Sequence, residues 1–416
     1  MIQGVSTSGL LELEIDLTGN ACFTELYSKV EADFQDRLPG FHKSRREGLC
    51  LLGSVILNTR SVNLMENAAA LPREIGSVDH RYQYISRLLG NSHIDTDEVM
   101  QAYVGEIFRR QCEAGETIVL ALDQSKLNEG HEVLMLSVRM RDRALPVAWR
   151  VRQTKGPIGW RVQYELLEAV HPWLPPEARV LLAGDRFYGT ARLIAWCQGA
   201  GWDYRLRMKG NITLQHQGGE MMTREIAQLM PEGLVNADLY GTGVLSNIGV
   251  LHEEGHKEPW IIAMNATPSK YKVLDYGMRW GIEAMFSDFK TRGFGITQSQ
   301  IKKPDRLARL ILVLAIAMYW AVSTGASEEH YVALRGEKRG FEKHDDPYVP
   351  SSRQDCAPFE DASLAMQKYQ GCENLGKLKG AKPAENTSLT RTSPAAGSGI
   401  AISCKANTSP AIPNSE

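Results

Sequence analysis

The chain has 416 residues, 43% of them apolar, and this is more than one ordinary hydrophobic core serves, so two or three lobes are expected and a small stapled scaffold is excluded. Its seven cysteines are scattered, odd in number and never spaced as Cys-x-x-Cys, which argues against a disulfide framework or a zinc site and for a reducing, cytoplasmic compartment. A net charge of −2 is weak evidence against a nucleic-acid binder judged by totals, so the distribution of charge has to decide that question.

The chain opens M-I-Q-G-V-S-T-S-G, with neither a basic segment nor a long apolar run, so no secretory signal is expected. Residues 1–114 read as a separate helical N-terminal lobe. Apolar periodicity marks Leu49 to Leu57 and Val99 to Ile107, the latter opened by Asp95-x-x-Glu98 as a capping-box-like start. Lys43-Ser-Arg45-Arg46 and the segment His80 to Arg87 could present cations to DNA, or the lobe could simply pack.

A core over 115–325 follows. Thr117 to Asp123, T-I-V-L-A-L-D, is a continuous apolar run suited to a strand buried on both faces, and it ends in a carboxylate. Arg179 to Asp185, R-V-L-L-A-G-D, repeats the design. Strand-like runs at 117–123, 131–140 and 143–151 precede a helix near Val162 to His171. A helix near Thr190 to Gln198 and a strand near Asp203 to Lys209 come after Asp185. In open sheets with parallel strands, functional groups gather at the carboxyl ends, where both aspartates sit. Alone, each aspartate reads equally as a turn or cap residue, Asp185 for the helix that follows it.

Glycine-rich pieces from about 210 to 256 interrupt this pattern before an apolar strand at Trp260 to Met264. Next comes Y-G-M-R-W-G-I-E-A-M-F-S-D-F-K, in which Tyr276, Arg279, Glu283 and Lys290 recur at offsets of three, four and seven, one face of a helix. Glu283 suits a divalent cation, Arg279 and Lys290 suit phosphate oxygens, and Tyr276 can hydrogen-bond or stack. A glutamate among cations on a helix is otherwise a solvated ion-pair face. Trp280 reads first as a core aromatic, second as a platform for a displaced base. Leu310 to Val322 is apolar but too short for a bilayer, and reads as a buried helix.

Cations cluster in three places: Arg139, Arg141, Arg143, Arg150, Arg152, Lys155 and Arg161, with Asp142 as counter-charge; Arg205, Arg207 and Lys209, alternating along a strand; and Arg292, Lys302, Lys303, Arg306 and Arg309. Their convergence would make a groove that tracks phosphate. From 326 apolar periodicity fades, and beyond Lys377 Ala, Ser, Thr, Pro, Asn and Gly dominate, a composition expected to stay largely disordered.

Tyr276, Arg279, Glu283 and Lys290 resemble the Tyr-(2)-Arg-(3)-Glu-(6)-Lys signature of bacterial DDE transposases of insertion-sequence family 4, and Asp123, Asp185 and Glu283 match that family's catalytic triad in order. Three antiparallel strands followed by alternating strand and helix give a ribonuclease H-like mixed sheet, and 210–256 resembles the family's β-rich insertion. The resemblance implies two Mg²⁺ or Mn²⁺ ions held by Asp123, Asp185 and Glu283, with Asp123 bridging. It also implies terminal phosphates held by Tyr276, Arg279, Lys290 and Arg292. The partners implied are the terminal inverted repeats of an insertion sequence and target DNA, with a homodimer on paired ends and no membrane; the setting is the bacterial nucleoid. The atypical tail departs from the family's basic, helical continuation, which leaves two rivals: a nuclease of the same fold without strand transfer, and an inactive copy that binds element ends as an inhibitor.

Overall fold

The computed structural model describes residues 21–334 apart from 73–75, 142, 231–232, 253–257 and 291–292. These all fall in one compact unit, Met1–Lys368. The expected tail beyond 334 lies outside the described residues.

Five helices lead: α1 (Ala21–Arg37), α2 (Lys43–Thr59), α3 (Leu64–Ala70), α4 (Val78–Leu89) and α5 (Thr96–Glu113). Asp95 caps α5 as its spacing promised, its carboxylate accepting from the N–H groups of Asp97 and Glu98. Then come β1 (Ile118–Asn128), β2 (His131–Met140), β3 (Arg143–Gln153), α6 (Trp160–Val170), β4 (Val180–Gly184), α7 (Ala191–Gly199) and β5 (Asp203–Arg207). β1, β2 and β3 form an antiparallel meander, while β4 lies parallel to β1 and β5 parallel to β4. The order β3-β2-β1-β4-β5 is the ribonuclease H-like arrangement expected above. β1 is apolar on both faces because the strand runs through the middle of this sheet and both faces are covered.

The β-rich insertion does not stand apart. It contains β6 (Thr213–His216), β7 (Gly219–Met222), α8 (Thr223–Leu229), β8 (Leu234–Leu239) and β9 (Leu245–Leu251), and β10 (Trp260–Met264) follows. β10 pairs antiparallel with β5 on one side and β9 on the other, so the insertion extends one continuous sheet to ten strands.

After β10 come α9 (Lys270–Leu274), a 3₁₀ turn over Asp275–Trp280, α10 (Gly281–Phe289) and α11 (Pro304–Leu334). Leu310 to Tyr319 is buried, as expected for an internal helix. Tyr319 donates its hydroxyl to the Pro146 carbonyl, Trp320 donates to Asp33, and the Trp149 indole donates to the Ala308 carbonyl. Thus α11 joins β3 to α1. The N-terminal helices therefore share one apolar core with the sheet, and no packing boundary separates them at residue 114. Likewise α11 runs nine residues past the expected boundary at 325.

No single helix among the described residues is long and apolar enough to cross a membrane; α2 and α3 match a span's composition only as a pair bent by 100°.

Candidate active site

Because β4 ends opposite Leu122 of β1, Asp123 is the first residue of β1 past its parallel neighbour, and Asp185 is the first residue after β4. Parallel register alone sets the two carboxylates side by side at the carboxyl ends of the central strands. Asp185 accepts the Phe187 N–H at 2.8 Å and so shapes its own turn. The cap of α7 is Thr190, whose hydroxyl accepts from Leu193, so Asp185 does not serve as the cap considered for it.

The third carboxylate comes from α10. Gly281 lets this helix lie directly on the sheet, since a Cβ there would stand 3.0 Å from the backbone of Arg143. Three arginines fix the segment. Arg143 pairs with Asp288 of α10 at 3.0 Å, Arg139 donates to the Met278 carbonyl at 2.8 Å, and buried Arg205 reaches the Lys272 carbonyl and Asp275.

The signature residues are not on one α-helical face. Tyr276 and Arg279 lie in the 3₁₀ turn, where residues three apart eclipse; Glu283 lies in the first turn of α10, and Lys290 is its C-cap. Tyr276 and Arg279 are buried, at 2% and 8% exposure, whereas the Glu283 side chain is 58% exposed. The guanidinium of Arg279 donates to Asp123 Oδ2 at 2.8 Å and to Glu283 Oε1 at 2.5 Å, with Tyr276's ring 5.7 Å away. Its Nε is buried with no hydrogen-bond partner. Lys290 Nζ donates to Ser125 Oγ at 2.5 Å.

Burial pushes the Asp123 carboxyl up to about 6; Arg279 and the Gln124 N–H oppose this, while Asp185 and Glu283 add to it. Desolvation also pulls Lys290 below its ordinary range, against the pull of Glu132 and Asp123. Burial holds the Tyr276 hydroxyl protonated well above its usual range, partly offset by Arg279. The donor set, three carboxylates offering hard oxygen ligands, fits a hard divalent cation. In this arrangement Arg279 fills that position between Asp123 and Glu283, and no three His, Cys, Asp or Glu side chains among the described residues are gathered as a metal cluster.

Other expectations need correction. Trp280 is 51% exposed, its ring edge-on to Trp260 at 5.5 Å, so it is not a core aromatic. Arg292 lies outside the described residues. Several of the clustered cations are paired within the fold or on its surface: Arg150 pairs with Asp97, Arg152 and the exposed Arg161 with Glu165, Arg306 with Ser86, and Arg309 with the Leu89 and Ile94 carbonyls. In the N-terminal region Arg45 donates to the His93 carbonyl and Arg46 faces Glu31 at 3.8 Å.

Tyr188 went unread in the sequence. It is buried beside the site, its hydroxyl held protonated by burial first and by Asp123 and Asp185 next. Its place three residues after a candidate ligand was the available signal.

The family described as "Transposase DDE domain" matches residues 161–320, a stretch that contains Asp185, Arg279, Glu283 and Lys290 and begins after Asp123. Over this stretch, less than half of the chain, the sequence is similar to a DDE-type transposase domain. Such a domain implies, in general terms, dependence on a divalent metal. No curated protein matches the chain.

Among solved structures, Ciona intestinalis endonuclease V, in complex with a 24mer DNA containing an inosine followed by a ribo-adenosine, is 16% identical. It covers 44% of this chain and 98% of its own, with a TM-score of 0.25. Human ENDOV is 12% identical, covering 52% and 90%, with a TM-score of 0.22. Superpositions this partial do not extend to function.

Proposed function

We propose that this chain is a DNA transposase of the DDE type, related to insertion-sequence family 4, that cuts at the ends of a mobile element and joins the freed 3′ hydroxyl to target DNA. The observation that carries the reading is that Asp123 and Asp185 stand at the carboxyl ends of the parallel strands β1 and β4, with Arg279 bridging Asp123 to Glu283 of α10. The family match over 161–320 supports the same reading, with DNA as partner.

Asp123, Asp185 and Glu283 would hold Mg²⁺ or Mn²⁺, two ions in the family that the Tyr-Arg-Glu-Lys spacing resembles. A divalent ion bound there supplies activation of the attacking oxygen and stabilisation of the leaving one. The chain's own residues do the remaining work. Asp123, fixed by the Gln124 N–H and by the strand beneath it, sets the floor of the site. A cation held by Asp123 and Glu283 would take the place of at least one Arg279 contact, leaving the guanidinium free for a phosphate oxygen. Lys290, held over Ser125 with its charge poorly solvated, is a second phosphate contact. Trp280, exposed beside Arg279, is placed to stack on a base. Two chains paired on two element ends would cut both.

The test is a duplex carrying the repeats that flank the gene, incubated with Mg²⁺ and a target plasmid. A joined product containing labelled end and target is expected, and Asp123→Asn, Asp185→Asn or Glu283→Gln should each abolish nicking while end binding stays within a few-fold. Nicking without joining would leave the nuclease reading standing. End binding without nicking would leave the inhibitor.

A further inference from the structure

Most cations around the site are matched by an acid. Arg205 has Asp275, Arg143 has Asp288, and Arg186 and Arg207 share Glu258 at 3.2 and 4.0 Å. Lys209 differs. Its ammonium has no carboxylate partner among the described residues; it sits 4.9 Å over the ring of Phe187. Phe187 is itself 54% exposed, and its N–H is the group that Asp185 accepts. An apolar ring more than half open to water thus lies two residues from a candidate catalytic carboxylate, under a cation that has no carboxylate partner among the described residues.

The backbone forces this pair together. Gly189 presses the 185–189 turn onto the end of β5, where a Cβ would stand 2.4 Å from the Arg207 carbonyl oxygen. Lys209 follows two residues later, pinned by the Met208 N–H to the Ile261 carbonyl and by the Thr223 hydroxyl to its own carbonyl. Both side chains thus project from anchored backbone at the edge where β4 and β5 end, beside Asp185.

We infer that Phe187 and Lys209 form a nucleotide subsite: the ring takes the face of one unpaired base and the ammonium takes the phosphate next to it. The inference rests on the DNA-cutting reading above and adds to it a specific neighbour of the scissile phosphate, held on the Asp185 side of the site. An aromatic face accepts any base and a lysine accepts any phosphate, so the subsite reads strand state and not sequence. It favours unpaired nucleotides because a base within a duplex offers no free face to the ring.

The experiment measures metal-free binding of the full chain, by fluorescence anisotropy, to a labelled single-stranded oligothymidylate of 20 residues and to a labelled random 30-base-pair duplex. Phe187→Ala should weaken single-strand binding by about 5- to 100-fold, the worth of one base–aromatic stack, and leave duplex binding within two-fold. Phe187→Trp should restore it. Lys209→Gln should flatten the dependence of log K on log salt for the single strand by roughly 0.7, one phosphate contact. Equal effects of Phe187→Ala on both ligands, or none on either, would overturn the subsite while the DNA-cutting reading stands. A wild-type chain that binds neither ligand would overturn both.

Discussion

The two walls of this site are built on opposite terms. On the wall formed by β1 and the 3₁₀ turn, the central charges are paired: Asp123 and Glu283 share Arg279, and the turn itself hangs on Arg139 and Arg205. On the wall formed by the ends of β4 and β5, the exposed ring of Phe187 and the Lys209 ammonium, which has no carboxylate partner among the described residues, meet solvent. The lesson is a division of labour. Asp123 and Arg279, which organise the site, are largely buried and paired with each other, whereas groups left for a partner pay little for exposure and are fixed through their backbone.

The largest effects should come from the paired wall. Replacing Asp123 should reduce metal-dependent cleavage by at least roughly a thousand-fold, and because the carboxylates act as a unit, Asp123→Asn with Glu283→Gln should be little worse than either alone. Single-turnover nicking assays measure this; a strictly multiplicative loss would mean that the two carboxylates act separately. Next in size is Arg279→Ala. It leaves Asp123 buried without its cation and should cost roughly 3 kcal/mol of stability, much of it recovered in the double variant with Asp123→Asn. Thermal unfolding of the four proteins closes that cycle, and additive losses would break the pairing.

The Asp123 carboxyl gives a pH test whose sign is fixed. Its folded value is raised, from 3.8 to about 6, by burial and by Asp185 and Glu283 against Arg279, so the folded state holds the proton more tightly than the unfolded chain does. Its contribution to stability is therefore full below pH 4 and is lost as pH rises through 6. Without metal, Asp123→Asn should be more stable than wild type above pH 7, by on the order of 2 to 3 kcal/mol, and the advantage should vanish near pH 4. An advantage that grows on acidification would reverse the assignment.

Smaller effects belong to solvent-facing cations. Lys290→Ala should flatten the salt dependence of duplex binding by roughly 0.9, one phosphate contact. Arg161→Ala, which removes an exposed pair with Glu165, should change stability by less than about 1 kcal/mol and leave DNA binding alone. A large loss of DNA affinity there would favour the basic groove expected from the charge clusters.

Much of this was legible in the residues. Unbroken apolar runs ending in aspartate announce central strands and their open ends, and the order of strands and helices gave the mixed sheet. Spacing also brought Tyr276, Arg279 and Glu283 into one list. What it could not convey was that a 3₁₀ turn breaks the helix between Arg279 and Glu283, since this depends on β2, β3 and β5 gripping the backbone from a distance. Charge clusters misled for a related reason. Arg143 or Arg150 looks free until Asp288, or Asp97, arrives from a remote segment. Phe187 and Lys209 lie too far apart in sequence to be linked by any local pattern.

One earlier feature bears on how the molecule comes to exist. α11 is the piece that lies between α1, α2 and β3, yet it is among the last described segments to be synthesised. Until it is made, the parts of α2 and β3 that it covers stay open, although their other neighbours are already present. Such a chain gathers its most distant contacts last, folds slowly, and exposes oily surface on the way. A nascent polypeptide halted before Pro304 should bind chaperones and be degraded readily, and one released after Tyr319 should resist proteolysis. If so, a helix that contributes no atom to the proposed chemistry decides how well the new chain survives.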